Sequence, residues 1–137
     1  MIPKHLNKKI PAFTLTELLV VLVIIGILVL LALPRLMPLI AKAKSTEAQM
    51  QLGHVHALQT GYFYLHSRYS ADLDEIGFEQ EKLVTDDGTA NYKIEIIEAG
   101  PAGFRARATA VVDFDGDGQF DVWEIDQEKK LVEVTRD

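Results

Sequence analysis

Residues 13–34 read FTLTELLVVLVIIGILVLLALP, and positions 18–33 of this stretch are sixteen consecutive apolar positions. A transmembrane helix needs about 20 predominantly apolar residues, and the stretch 13–33 is about 32 Å long at the helical rise of 1.5 Å per residue. Residues 1–12 are basic, and a basic flank is retained on the cytoplasmic side of a membrane. We therefore predict a single membrane-spanning helix with a cytoplasmic N-terminus.

The remainder of the 137-residue chain is strongly acidic. Residues 1–70 carry seven Lys/Arg and two Asp/Glu, whereas residues 71–137 carry seven Lys/Arg and eighteen Asp/Glu. This charge argues against nucleic-acid binding by the second half, and the absence of Cys excludes a disulfide scaffold or a thiol enzyme. Too few residues follow the apolar helix for a large enzyme fold, so we do not expect an enzyme.

Glu17 is the ionisable group within the predicted span. A carboxylate at the centre of a bilayer costs about 2.5–3.5 kcal/mol on insertion scales. Glu17 either reaches the membrane interface or is a buried partner for a cation. A secretory signal peptide would fit the apolar run, but the A-x-A cleavage pattern is absent where the run ends at residues 32–35. An uncleaved signal anchor is a further alternative.

The segment Pro11-Ala12-Phe13-Thr14-Leu15-Thr16-Glu17-Leu18-Leu19, with the apolar run and Pro34 after it, resembles the class III signal of type IV pilins and type II secretion pseudopilins. The resemblance implies that a prepilin peptidase cleaves between Ala12 and Phe13 and methylates Phe13. The family usually has Gly at the position of Ala12. The resemblance also implies that Glu17 pairs with the N-terminal ammonium of a neighbouring subunit as a helical homopolymer assembles on an inner-membrane platform.

The resemblance divides the chain into a leader (1–12), a transmembrane and assembly helix (13–34), an amphipathic second half of that helix (35–69) and a globular head (70–137). It implies a bend at Pro34, although a proline could also end the helix there. Apolar positions spaced by three and four predict the buried stripe of the second half. The predicted stripe comprises Ala48, Val55, Leu58, Tyr62, Leu65 and Tyr69.

The head contains alternating patterns that predict strands at 92–97, 104–112, 122–125 and 131–134, with turns at 98–103 and 127–130. Residues 70–76 are predicted to form a short helix capped by Ser70 and ended by Gly77. We therefore predict an α+β, pilin-like fold, with a long N-terminal helix on a small antiparallel sheet. Residues 69–70, 74–78 and 121–127 also resemble the major type IV pilins of gliding, twitching bacteria.

The segment from Asp113 to Glu124 matches the twelve-residue calcium-loop pattern. The pattern assigns Ca²⁺ ligands in the order Asp113, Asp115, Asp117, Gln119, Asp121 and Glu124. Strand-like segments flank this loop in place of the two helices of an EF-hand, so an Asp/Gly-rich turn without metal is the alternative. His54, His56 and His66 do not share a helix face, and we do not expect them to bind a metal.

Three functions follow as hypotheses. The first is a type IV pilus subunit that sits in inner-membrane lipid before it joins a periplasmic or extracellular filament. The second is a calcium-binding major pseudopilin of a type II secretion system. The third is an uncleaved, membrane-anchored calcium-binding domain that acts alone.

Overall fold

The computed structural model describes residues 11–136, so most of the predicted leader lies outside the described residues. Helix α1 spans Leu15–His66, and four strands follow: β1 (Tyr92–Ala99), β2 (Phe104–Ala110), β3 (Val122–Asp126) and β4 (Leu131–Thr135). The strands form one antiparallel sheet in the order β1-β2-β3-β4. These elements confirm the predicted α+β class.

The chain divides into two compact units, Met1–Arg35 and Leu36–Asp137. Within the described part of the first unit, residues 15–35 are helical and every side chain from residue 11 onward is exposed. Pro34 and Pro38 are both within the helical range, so the helix does not end at Leu33. The predicted bend at Pro34 stays a prediction.

The second unit contains the hydrophobic core, which lies between α1 and one face of the sheet. The buried positions of α1 alternate by four and three residues, as expected for one face of a helix. They are Ala41, Ser45, Ala48, Leu52, Val55 and Gln59. The predicted stripe was wrong at Leu65, which is 82% exposed, and it omitted Leu52, which is fully buried.

Strand β2 brings small side chains to the helix. Phe104, Ala106, Ala108 and Ala110 are buried, and the residues between them alternate toward the other face of the sheet. Because alanine projects little from a strand, the buried face of β2 leaves room for the large side chains of its neighbours, such as Tyr92 on β1 and Ile125 on β3.

The predicted helix at residues 70–76 was wrong, because the structure has bends and turns there. The Ser70 hydroxyl accepts a hydrogen bond from the Asp72 backbone N–H and donates one to Glu75. These contacts stabilise a local turn, which a serine side chain supports as readily as a helix cap. Gly77 adopts a positive φ of 79°, so the chain does reverse at the predicted glycine.

Candidate assembly helix and acidic loop

The predicted cleavage junction lies just before the helix. Ala12 and Phe13 are exposed and outside regular secondary structure, and Phe13 is 85% exposed. Thr14 and Glu17 form reciprocal hydrogen bonds, because the Thr14 N–H donates to Glu17 Oε2 at 2.7 Å and the Glu17 N–H donates to Thr14 Oγ1 at 3.2 Å. This capping box satisfies backbone donors at the helix start. It leaves the junction outside the hydrogen-bonded turns of α1.

Apart from Thr16, Glu17 and Arg35, the surface of α1 up to Ile40 is apolar, and the described residues leave it exposed. The helix is long and apolar enough to cross a membrane, a criterion of length and composition alone. Exposed apolar surface on this scale is unfavourable in water, since each buried Å² contributes about 25 cal/mol. The surface therefore requires lipid or other protein around it.

The acidic loop between β2 and β3 brings together three of the predicted calcium ligands. One carboxylate oxygen from each of Asp113, Asp115 and Asp117 lies within 4.8 Å of the other two. Each of these side chains also accepts a backbone N–H from within the loop, at 2.7 to 3.0 Å. Gly116 and Gly118 have φ values of 80° and 86°, which turn the chain around the carboxylates.

Hydrogen bonds from backbone N–H groups lower the pKa of Asp113. The N–H groups of Gly118 and Gly116 donate to its two carboxylate oxygens, both at 2.7 Å. These hydrogen bonds, chiefly that from Gly118, lower the pKa of Asp113 because they favour its ionised form. Asp113 is consequently an anion over a wider pH range than an ordinary aspartate.

The two later predicted ligands make contacts outside this cluster. Asp121 Oδ2 accepts hydrogen bonds from the Tyr92 hydroxyl at 2.5 Å and from Trp123 Nε1 at 2.8 Å. Glu124 Oε1 forms an ion pair with Arg107 at 2.6 Å. Gln119 donates its backbone N–H to Asp117 Oδ1. The described loop therefore gathers the first three carboxylates, while sheet residues hold the last two.

The three helical histidines lie in separate environments. His54 contacts the ring of Phe78, His66 contacts the ring of Tyr62, and His56 Nε2 lies 3.1 Å from the backbone oxygen of Gln127. Within residues 11–136, the Asp113–Asp115–Asp117 group is the cluster of metal-ligating side chains that the geometry identifies.

Two polar clamps between α1 and the head were not predicted. Glu47 accepts the backbone N–H and the side-chain amide of Asn91, at 2.8 and 2.7 Å. Gln59 is fully buried and forms reciprocal hydrogen bonds with the backbone of Ser70, at 2.7 and 2.9 Å. The spacing of Gln59 from Leu52 and Val55 places it on the buried face, and that spacing was the available sequence signal.

Comparisons with known proteins agree with the N-terminal motif. Residues 7–33 match the family described as the prokaryotic N-terminal methylation motif. The type IV major pilin protein PilA of Myxococcus xanthus (strain DK1622) is 38% identical over 76 residues, which cover 56% of this chain and 34% of that protein. The aligned region thus spans about a third of the length of this curated relative.

The motif, the relative and the helix-on-sheet fold all support a similarity of this chain to the type IV pilin superfamily. This confirms the resemblance drawn from residues 11–19 and Pro34. The chain is similar to type IV pilins, and its residues 7–33 match the N-terminal methylation motif.

Proposed function

We propose that this chain is a structural subunit, without catalytic activity, of a type IV pilus-like filament. The observation that carries the proposal is the exposed apolar surface of α1 up to Ile40, most of which lies within the methylation-motif match at residues 7–33. Lipid covers this surface before assembly, and equivalent helices of other copies cover it afterwards. Burial against other copies removes the surface from water and supplies a driving force for polymerisation.

Processing of the precursor is the second part of the proposal. A prepilin peptidase cleaves between Ala12 and Phe13 on the cytoplasmic side of the inner membrane and methylates the new N-terminus at Phe13. The exposed, non-helical state of both residues supports this, because a protease needs an extended and accessible substrate. The rest of the chain lies across the membrane and enters a periplasmic or extracellular filament through an inner-membrane assembly platform.

Intact-mass analysis of the protein from its native membrane tests this processing. We expect a chain that begins at Phe13 and is heavier by one methyl group. A chain that retains Met1 would contradict both filament functions and would favour an uncleaved, membrane-anchored domain. An Ala12→Lys variant is the matched control, because it blocks the junction without altering the apolar helix.

In this proposal, Glu17 sets how neighbouring subunits align along the filament. Its carboxylate bonds to the Thr14 backbone in the described chain. In the filament, it pairs with the Phe13 ammonium of a neighbouring copy. Pairing offsets the desolvation of two charges that would be strongly unfavourable if each were buried alone.

A major pseudopilin of a type II secretion system is the second candidate. The convergence of Asp113, Asp115 and Asp117 in a loop of the head favours it, because the resemblance to that family implies a calcium site in the C-terminal region. Deletion of the gene separates the two functions. Loss of surface filaments with normal protein export supports the pilus, whereas loss of export without loss of filaments supports the pseudopilus.

We also propose that the acidic loop binds Ca²⁺ through Asp113, Asp115 and Asp117. Carboxylate oxygens suit this ion, which takes six to eight oxygen ligands, so carbonyl groups or water would complete the set. Bound calcium would neutralise repulsion among the three carboxylates. Thermal unfolding with and without a chelator tests this, with Asp115→Asn as the variant and Asp86→Asn as the control. A melting temperature that the chelator leaves unchanged would contradict it.

A further inference from the structure

One row of cross-strand neighbours in the sheet, here called a rung, ends at the buried carboxylate of Asp121. Tyr92 pairs with Ala110 across β1 and β2, and the Ala110 N–H donates to the backbone oxygen of Asp121 at 2.8 Å. Because Ala110 is small, the Tyr92 hydroxyl reaches past it to Asp121 Oδ2. The rung therefore runs from Tyr92 through Ala110 to Asp121.

Asp121 is 2% exposed, and its two oxygens differ in their contacts. Oδ2 accepts two hydrogen bonds, from Tyr92 and Trp123. Oδ1 is buried and has no hydrogen-bond partner among the described residues. A buried carboxylate oxygen without a donor is costly, so a donor on the open side of Asp121 would be stabilising.

The sheet register identifies the residue on that side. Val122 pairs with Thr135 across β3 and β4, so the same register continued by one residue sets Arg136 opposite Asp121. Directly opposed residues of an antiparallel pair share a face of the sheet. Asp121 is thus flanked by Tyr92 on one side and by Arg136 on the other.

A cleft of about 140 Å³ between α1 and the β3–β4 end of the sheet supports this arrangement. Asp121 and Arg136 both line it, together with Lys42, Ser45 and Gln49 of the helix. Arg136 is exposed, and none of the three ion pairs in the described chain includes it. The Arg136 guanidinium therefore lies at the cleft without an ion pair among the described residues, and Glu133 of β4 is a second carboxylate that lines the same cleft.

We propose that Arg136, directly after β4, is a strap that closes over this cleft and donates a hydrogen bond to Asp121 Oδ1. Closure would complete the rung from Tyr92 to Arg136 and hold the end of β4 against the sheet. A guanidinium suits this role because its fixed fork of donors matches a carboxylate. Lys42 is the competing cation, since it lines the same cleft from the helix.

Amide hydrogen exchange of the full-length chain in detergent micelles tests the strap. We expect Arg136→Gln to accelerate exchange of the β4 amides about fivefold while β1 and β2 amides keep their rates, because the strap holds only the outer strand. Arg136→Lys should restore part of the protection. Lys42→Gln is the matched control and should leave β4 at its original rate.

The Arg136 Nε–H resonance gives a second readout that a general loss of stability would not move. It should be protected from exchange in the original protein, and Asp121→Asn should remove this protection. Unchanged β4 exchange in Arg136→Gln would overturn the proposal. Faster β4 exchange in Lys42→Gln instead would also overturn it and assign the contact to the helix.

Discussion

The two halves of α1 have opposite relations to the rest of the chain. Up to Ile40 the helix is almost wholly apolar, and within residues 11–136 all of its side chains there are exposed. From Ala41 to Gln59 the helix is more polar, yet one face is fully buried against the sheet. Apolar composition therefore does not decide which residues form the intramolecular core. A helix face is buried only where another surface packs against it. The first half of α1 therefore needs lipid or another molecule to cover it.

The largest effect is expected from removal of the Glu17 carboxylate in the first half of α1. We expect Glu17→Leu to insert into the membrane normally but to lower filament yield at least about tenfold, because the neighbouring ammonium would be buried without its counter-ion at a cost of about 3–5 kcal/mol. Electron microscopy of sheared filaments and quantification of the membrane-bound subunit measure the two quantities separately.

Glu17→Gln sharpens this test. Glutamine can replace glutamate in a capping box, so this variant keeps the helix start and removes only the charge. Normal filament yield from Glu17→Gln would contradict the ion pair and would attribute the role of Glu17 to capping of Thr14.

The second half should respond to truncation of its buried face. We expect Leu52→Ala to destabilise the head by about 2–5 kcal/mol, because the removed side chain is fully buried and leaves a cavity. Thermal unfolding of the full chain in detergent, followed by the near-ultraviolet signal of Trp123, measures the loss.

Two control variants, one in each half of α1, accompany this experiment. Leu65→Ala in the same half and Leu22→Ala in the first half remove side chains that the chain leaves exposed. Both should leave the head within about 0.5 kcal/mol of the original stability. A large effect of Leu22→Ala on the head would break the distinction between the two halves.

A smaller effect is expected at the polar end of the buried face. Gln59→Leu should destabilise the head by about 1–3 kcal/mol, since the backbone N–H and C=O of Ser70 would lose their partners. Denaturant unfolding measures this change. Gln51→Leu, at a half-buried position of the same helix, is the control and should have a much smaller effect.

The smallest effect concerns the acidic loop. Folding lowers the pKa of Asp113 below its ordinary value of 3.8, so its contribution is present above that value and is lost as pH falls through the lower, folded pKa. The melting temperature of Asp113→Asn should therefore fall less between pH 5 and pH 2 than that of the original protein. Both are measured in the presence of a chelator. Equal pH profiles of the two proteins would contradict this account.

The strands were predictable because their sequence alternates with period two and because the turn at residues 98–103 contains glycine. β2 begins at Phe104 as predicted and ends two residues early, at Ala110. The turn at residues 70–76 was not predictable in the same way, because a serine followed by acidic residues supports a capped helix and a local turn alike. In this fold, hydrogen bonds join the Gln59 side chain to the backbone of Ser70 at the start of the turn.

In the acidic loop, too, some positions were predictable from the local sequence and others were not. The spacing of Asp113, Asp115 and Asp117 was enough to predict that their carboxylates converge, because local turns at glycine bring them together. The positions of Asp121 and Glu124 depend on strands distant in sequence. Tyr92 and Arg107 hold these two carboxylates, and no local pattern contains that information.

By itself, the sequence determined the long apolar helix, its motif at residues 7–33 and the alternation of the four strands, since each depends on neighbours within a few turns or residues. The tertiary structure was needed to show that the buried face of α1 includes Leu52 and excludes Leu65, and to show which carboxylates join the sheet. These outcomes depend on the shape of a surface built from distant segments, where small residues such as Ala110 determine what fits beside them.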